Sequence, residues 1–130
     1  MSLILIADDT SDTRDLYSMY LTHRGYTVVT AEDGHAALDI ARQQQPDLII
    51  MDLSMPRLDG AAATNRLKRD SRTRRIPVIV LTAYPLKQNQ QRAQEAGAAL
   101  FLTKPCLPED LEQHVRRLLG TQTPPSASTG

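Results

Sequence analysis

Five short apolar runs recur along the chain, and each is followed by a segment with helical periodicity. The runs cover residues 3–7, 26–30, 48–53, 76–81 and 99–103. Continuous aliphatic runs such as 3–7 and 48–53 are typical of strands that are buried on both faces of a sheet. This alternation constrains the fold most, because strands separated by helices pair in parallel within one sheet.

The segments between these runs carry the spacing and the end signals of helices. In the first segment, Leu16, Met19, Tyr20 and His23 recur at i, i+3, i+4 and i+7, which predicts a helix from residue 12 to a glycine stop at Gly25. Four more helices are predicted at 33–44, 60–69, 86–96 and 108–119. The residues predicted to point inward from two of these helices are Ala37, Ile40 and Ala41, and then Leu111, Val115 and Leu118.

Five strands alternating with five helices predict a (βα)5 fold of the α/β class. Its sheet is expected to be parallel and doubly wound, with helices on both faces. The length of 130 residues fits about one domain, which we expect to span residues 1–119. Residues 120–130 are rich in Thr, Pro and Ser and hold no bulky apolar side chain, so they are predicted to form a disordered tail or a linker.

The charges of the chain balance, with 15 Lys and Arg against 15 Asp and Glu. A neutral chain has no general attraction to nucleic acid or to a membrane surface, and we expect direct contact with neither. The charges are segregated, since residues 1–65 hold ten acidic and four basic side chains. The apolar runs are far shorter than the ~20 residues of a membrane span. A single cysteine, Cys106, and an N-terminus unlike a signal peptide predict a cytoplasmic location.

Polar side chains stand at the carboxyl ends of four of the predicted strands. Asp8 and Asp9 follow the first strand, Asp52 ends the third, Thr82 follows the fourth and Lys104 follows the fifth. Ligands of open parallel sheets bind beyond these ends, so the five side chains are expected to converge. Three carboxylates repel one another unless a cation lies among them, and oxygen ligands suit Mg²⁺. Such a site suits phosphoryl transfer to a carboxylate nucleophile.

In these motifs the sequence resembles the receiver domain of two-component response regulators, of the kind found in chemotaxis regulators. The resemblance covers residues 3 to about 119 and implies a flavodoxin-like sheet with strand order 2-1-3-4-5. It also implies a cis Lys104-Pro105 peptide bond. The residues that carry the resemblance are Asp8-Asp9, residues 46–52 with Met55-Pro56 and Gly60, Thr82-Ala83, and Lys104-Pro105.

The resemblance implies a role for each site residue in a phosphorelay. Asp52 is expected to accept the phosphoryl group, Lys104 to pair with the phosphoryl oxygens, and Thr82 to donate a hydrogen bond to one of them. Phe101 stands at the position of the family's switch aromatic. Movement of Thr82 and Phe101 is expected to change the binding surface formed by residues 86–119.

The same resemblance implies a magnesium site and protein partners. Asp9 and Asp52 are expected to bind Mg²⁺ directly, the backbone carbonyl of Ser54 to supply a third ligand, and Asp8 to act mostly through water. The expected partners are a sensor histidine kinase or phosphotransfer protein and a downstream protein target. The domain is expected to catalyse only its own phosphorylation and dephosphorylation, so it is not an enzyme in the ordinary sense.

Other interpretations of the same residues exist. Asp8 and Asp9 alone resemble a helix cap, and Lys104 alone resembles a solvated lysine. A phosphohydrolase of the haloacid-dehalogenase type also uses an aspartate nucleophile with Mg²⁺, but it has a second Asp where this chain has Ser54. A binding-only pseudo-receiver usually lacks one of the site residues. The six bases of residues 66–75 favour a solvated loop, with an acidic partner protein as the alternative.

Overall fold

The fold was analysed in a computed structural model that describes residues 2–120. Residues 121–130, most of the predicted tail or linker, lie outside the described residues. Strands and helices alternate along the chain as expected from the sequence. The elements are β1 (Leu3–Ala7), α1 (Ser11–His23), β2 (Thr27–Ala31), α2 (Gly34–Gln44), β3 (Leu48–Asp52), α3 (Gly60–Arg69), β4 (Val78–Thr82), α4 (Lys87–Ala96), β5 (Leu100–Thr103) and α5 (Pro108–Gly120).

The strands form one parallel sheet in the order β2-β1-β3-β4-β5. This confirms both the (βα)5 fold class and the strand order. The central strands β3 and β4 are buried at every position, as their continuous aliphatic sequences predicted. None of the helices in the range 2–120 is long and apolar enough to cross a bilayer.

Two hydrophobic cores cover the two faces of the sheet. Alternate strand residues supply them, because successive side chains of a strand point to opposite faces. Leu5, Ile49 and Val80 belong to the core under α2, α3 and α4. Ile4 and Ile50 belong to the core under α1 and α5. The sheet is therefore clamped from both sides, and its carboxyl ends are held in a fixed arrangement.

The apolar repeat that predicted α1 does not mark its buried face. Leu16 and Met19 are 53% and 72% exposed, whereas Tyr17 and Leu21 are buried. Tyr17 can be buried because its hydroxyl donates a hydrogen bond to the carbonyl oxygen of Cys106 at 2.7 Å. The inward positions predicted for α2 and α5 fared better. Ala37, Ala41, Leu111 and Val115 are buried, and Ile40 and Leu118 are partly buried.

Small shifts separate the predicted and observed ends of the strands. β4 begins at Val78 rather than at residue 76 and extends through Thr82. Pro77 has no N–H and cannot donate to a neighbouring strand, which explains the later start. β2 runs from Thr27 to Ala31, and Tyr26 before it donates its hydroxyl to Glu112 at 2.8 Å.

Gly60 fixes the start of α3 against the strand that carries Asp52. Its N–H donates to the carbonyl oxygen of Leu53 at 2.8 Å. A Cβ at position 60 would overlap the carbonyl oxygen of Asp52 and lie 2.9 Å from the Cα of Leu53. Only glycine permits this approach, so the sequence motif that ends in Gly60 has a steric reason.

We predict that Gly60→Ala lowers the free energy of unfolding by about 2–3 kcal/mol, because the added methyl group forces the backbone of β3 and α3 apart. Urea unfolding measures the change. Gly120→Ala is the matched control, since a Cβ there meets no atom within 4 Å. Equal losses of stability in the two variants would contradict the steric account.

Candidate functional site

Three carboxylates meet at the carboxyl edge of the sheet. Asp8 and Asp9 follow β1, and Asp52 is the last residue of β3. One oxygen from each lies within 4.8 Å of the others. Asp8 and Asp52 are 2% and 5% exposed, whereas Asp9 is exposed. The backbone N–H of Thr10 donates to Asp8 Oδ1 at 2.9 Å and orients that carboxylate.

Lys104 brings the only ammonium group into this cluster within the part of the chain that the structure describes. Its Nζ lies 2.9 Å from Asp8 Oδ2 and 3.4 Å from Asp52 Oδ1. Burial acts to lower the pKa of the Lys104 ammonium. The hydrogen bond to Asp8 and the charge of Asp52 outweigh burial, so the pKa is raised and the group stays protonated.

The surroundings of Asp52 favour its neutral form. Burial is the largest cause and the charge of Asp8 is the second, and together they raise its pKa to about 6. The charge and hydrogen bond of Lys104 and the backbone N–H of Ser54 act in the opposite direction and offset only part of the rise. The carboxylate of Asp52 is therefore under-stabilised, which is the condition in which an added cation binds with most effect.

Thr82 lies at the same edge, and its hydroxyl bonds to the backbone of Tyr84. It is 1% exposed, and its carbonyl oxygen accepts the N–H of Lys104 at 2.7 Å. The hydroxyl accepts the N–H of Tyr84 at 3.0 Å and donates to the carbonyl oxygen of Tyr84 at 3.3 Å. The structure thus brings Asp8, Asp52 and Lys104 into contact and leaves the hydroxyl of Thr82 engaged with the β4–α4 loop.

Comparison with known proteins identifies the family. The family model described as response regulator receiver domain matches residues 4–116. The chain belongs to this family. It is a receiver domain of the two-component type, and the acidic cluster at the sheet edge fits the phosphoacceptor site of such domains.

Relatives and solved structures agree with this assignment. The DNA-binding dual master transcriptional regulator RpaA of Synechocystis sp. is 44% identical over 119 residues, which cover 92% of this chain and 49% of that protein. This chain thus spans about half the length of that curated relative. The signal receiver domain of a signal transduction histidine kinase from Syntrophus aciditrophicus superposes with a TM-score of 0.88, 35% identity and 96% coverage of both chains.

A third comparison bears on the metal. The receiver domain of a sensor histidine kinase from Pseudomonas aeruginosa, solved with a magnesium ion coordinated in its active-site cleft, is 32% identical with a TM-score of 0.85. The alignment covers 92% of this chain and 98% of that one. The donors here fit such an ion, because three carboxylates face one ammonium, and burial together with the charge of Asp8 raises the pKa of Asp52.

Phe101 lies in β5, and Lys104 directly follows that strand. The Lys104-Pro105 peptide bond is cis, which confirms the expectation from the family resemblance. Phe101 pairs with Val80 and packs against the core under α2, α3 and α4, opposite to Leu100 and Leu102. Phe101 is half-buried and lines a groove of about 220 Å³ beside α4.

A groove beside the cluster of Asp8, Asp52 and Lys104 was not predicted from the sequence. It has a volume of about 390 Å³ and lies between α1 and the β5–α5 loop, next to Lys104. Leu16, a member of the apolar repeat that predicted α1, lines it together with Leu107, and both are more than half exposed. The signal for this groove was a pair of exposed leucines, Leu16 and Leu107, near a charged site. The helical spacing concealed it, because Leu16 also fits an inward stripe.

We predict that Asp52→Asn stabilises the protein near neutral pH in the absence of Mg²⁺. The folded-state pKa of about 6 lies above the ordinary value of 3.8, so between these pH values the folded state holds a proton that the unfolded state releases. The stability of the wild type therefore falls as pH rises through this window, by up to about 3 kcal/mol. The variant lacks this loss, and its advantage should disappear at about pH 4.

Urea unfolding at about pH 4 and about pH 7 measures this effect. Asp15→Asn is the control, because Asp15 is an exposed carboxylate on α1. It should leave the pH dependence unchanged. An Asp52→Asn variant with the same pH dependence as wild type would show that Asp52 is not the strained carboxylate.

Proposed function

We propose that this receiver domain takes a phosphoryl group from a sensor histidine kinase or a phosphotransfer protein onto Asp52. The observation that carries the proposal is the position of the Asp52 carboxylate, buried beside Asp8 and 3.4 Å from the Lys104 ammonium. A nucleophile needs a lone pair that its surroundings do not fully satisfy. Asp52 meets this condition, because burial and the charge of Asp8 raise its pKa.

In the proposed step, a carboxylate oxygen of Asp52 attacks phosphorus. The bond between phosphorus and the donor's imidazole nitrogen breaks, the nitrogen keeps the electron pair, and an acyl phosphate forms. Asp52 must be ionised to react, and at pH values above its pKa of about 6 most molecules hold the carboxylate. Lys104 is placed to pair with the phosphoryl oxygens, because its ammonium already lies beside Asp52.

We propose that Mg²⁺ is held by Asp9, Asp52 and the backbone carbonyl of Ser54, with Asp8 acting through water. Bound there, the ion would neutralise charge on the phosphoryl oxygens and on the carboxylates. The support is the close approach of the three carboxylates and the unequal charge of the site, where one ammonium faces three acids. The hydrogen bond from the backbone N–H of Thr10 orients the Asp8 carboxylate within this cluster.

The phosphoryl donor is proposed to dock in the groove between α1 and the β5–α5 loop. Leu16 and Leu107 are 53% and 56% exposed, and they flank a groove that Lys104 and Pro105 also line. An apolar surface of this kind suits a partner helix, and its position beside Lys104 brings the donor's histidine to Asp52. Tyr17 anchors the wall of the groove through its hydrogen bond to the carbonyl oxygen of Cys106.

Phosphorylation is proposed to act on the surface of residues 86–119 through Thr82 and Phe101. The hydroxyl of Thr82 would leave Tyr84 for the phosphoryl group, which releases the β4–α4 loop. Phe101 has no hydroxyl, so its ring moves further into the core without needing a buried hydrogen-bond partner. Thr82 and Phe101 thus link the phosphoryl group to the surface that a downstream protein target would bind.

Helix α4 is suited to move in such a change because it is lightly held. Only Ala93 and Ala96 of this helix are buried. Arg92 donates to Asp59 at 2.7 Å, and no other α4 side chain in the range 2–120 reaches another helix or a strand by a hydrogen bond or ion pair. Asp59 also caps α3 through the N–H of Ala62, so this ion pair joins α4 to the helix that starts behind Asp52.

We propose that the chain catalyses only its own phosphorylation and dephosphorylation. A haloacid-dehalogenase type of hydrolase needs an acid two residues after the nucleophile, and Ser54 stands there.

We further propose that residues 1–119 form the complete receiver unit and that the domain works in the cytoplasm. The family match over residues 4–116 supports the extent of the unit.

Incubation with acetyl phosphate and Mg²⁺ tests the phosphoacceptor. We predict that the intact mass rises by about 80 Da and that alkali removes the added group, since acyl phosphates are labile to base. Asp52→Asn should abolish the modification because an amide is not a nucleophile. Asp9→Ala should slow it by weakening the ion. Asp12→Asn, which changes an exposed carboxylate on α1, should react like wild type.

A base-stable modification, or one that survives in Asp52→Asn, would place the phosphoryl group on a serine or threonine instead. An Asp9→Ala variant that reacts at the wild-type rate would contradict the proposed ligand set.

We predict that Phe101→Ala uncouples the site from the surface of residues 86–119. Beryllofluoride, a phosphoryl mimic, should shift the amide NMR signals of both Thr82 and this surface in the wild type. In Phe101→Ala the Thr82 shift should remain and the surface shifts should fall by at least about half, because the ring that transmits the change is missing. Leu102→Ala, on the opposite face of β5, is the matched control. Equal surface shifts in wild type and Phe101→Ala would remove Phe101 from the switch.

A further inference from the structure

A basic hollow lies at the end of the sheet opposite to Asp52. Its volume is about 560 Å³, and it is lined by Arg42 of α2 and by residues at the end of α3 and in the following loop, namely Arg66, Arg69, Asp70, Ser71 and Arg72. Because α3 starts at the carboxyl edge of the sheet and runs back toward the start of β4, its last turn is remote from the phosphoacceptor site. The bases at 66–69 belong to this helix rather than to a loop.

Asp70 organises two of the four arginines of the basic hollow. Its carboxylate accepts the Nε of Arg42 at 3.2 Å, and the Nε and Nη2 of Arg72 at 3.1 and 2.9 Å. The backbone N–H of Arg72 donates to the same carboxylate at 2.9 Å. Four donors use most of the capacity of one carboxylate. Asp70 therefore fixes Arg42 and Arg72 in the wall and has little capacity left for further cations.

Among residues 2–120, Arg66 and Arg69 are left without partners. Both are exposed, they stand three residues apart on one side of α3, and neither side chain forms a hydrogen bond or ion pair with any residue in the range 2–120. Four guanidinium groups face one carboxylate in the basic hollow. Asp39 lies outside the lining, 3.8 Å from Arg42, and reduces the excess of positive charge without cancelling it. The guanidinium groups of Arg66 and Arg69 are therefore free to bind an anion, and the net charge of the hollow's lining is positive.

We propose that the basic hollow is a docking site for an acidic segment of a partner protein. A guanidinium group binds a carboxylate through two parallel hydrogen bonds, so Arg66 and Arg69 together suit two neighbouring Asp or Glu side chains. The organised wall of Arg42, Asp70 and Arg72 gives the site a fixed shape. Charge complementarity identifies the occupant, since every residue that lines the hollow is charged or polar.

The surroundings favour an acidic protein over nucleic acid. Residues 42–75 contain no aromatic side chain on which a base could stack. Helix α3 is packed along the sheet through Ala61, Ala63 and Leu67, so it does not project as a groove-reading helix does. The chain as a whole is neutral, whereas nucleic-acid binding domains are usually strongly basic.

Because the basic hollow lies at the end of the sheet opposite to Asp52, docking there does not block phosphoryl transfer. A partner bound at Arg66 and Arg69 leaves the edge with Asp52 open, so the receiver domain can hold it before and after phosphorylation. The acidic segment would thereby localise the domain, while the opposite edge exchanges phosphoryl groups. The proposal does not depend on the proposed function, because it concerns the unphosphorylated protein.

The test is an NMR titration of the ¹⁵N-labelled chain with a capped peptide of repeated Glu-Asp-Gly. We expect shifts confined to residues 42 and 65–75, with binding lost between about 50 and about 500 mM salt. Arg66→Gln with Arg69→Gln should weaken binding at least about tenfold. The control is Lys87→Gln with Arg117→Gln, which removes the same charge from exposed bases elsewhere and should leave binding within about twofold.

Two further arms distinguish the alternatives. Beryllofluoride should leave the peptide affinity unchanged, and a short DNA duplex should bind more weakly than the peptide at equal phosphate and carboxylate concentrations. Three results would overturn the proposal: equal weakening in both double variants, shifts spread over the whole basic half of the chain, or tighter binding of the duplex.

Discussion

The repulsion between two buried carboxylates, Asp8 and Asp52, is the constraint on which the site depends. Both lie almost out of solvent, and Lys104 is the one cation that the described residues place between them. Burial and then the charge of Asp8 raise the pKa of Asp52 to about 6, and one ammonium does not offset them. A site in this condition gains from any cation that restores the balance, which is the property that a magnesium-dependent phosphoryl acceptor needs.

The fold maintains this unfavourable arrangement through the rest of its packing. Two cores clamp the sheet, and Gly60 seats α3 directly against the backbone of Asp52. The strain at the edge is small beside the apolar burial of the central strands, so the carboxylates cannot move apart. Helix α4 has the opposite character, since only Ala93 and Ala96 of it are buried and Arg92 makes its one side-chain hydrogen bond to the start of another helix in the described part of the chain. The proposed switch rests on this contrast between rigid strands and a helix with few buried side chains.

The sequence was sufficient for the fold and for the convergence of Asp8, Asp52 and Lys104, because both follow from short patterns. Aliphatic runs predicted the strands, and residues at the strand ends predicted Asp8, Asp52 and Lys104. Side-chain direction was beyond such patterns. Leu16 and Tyr17 compete for the inward side of α1, and the hydrogen bond from Tyr17 to Cys106, 89 residues away, decides the outcome. The ion pairs of Asp70, which make the basic hollow, likewise join residues distant along the chain.

A titration of the side-chain carboxyl carbon of Asp52 by ¹³C NMR tests the central claim most directly. In the absence of Mg²⁺ the account predicts a pKa of about 6, which burial and the charge of Asp8 raise. Addition of Mg²⁺ should lower this pKa, because the cation stabilises the carboxylate. A pKa near the ordinary value of 3.8 that Mg²⁺ does not change would contradict the account.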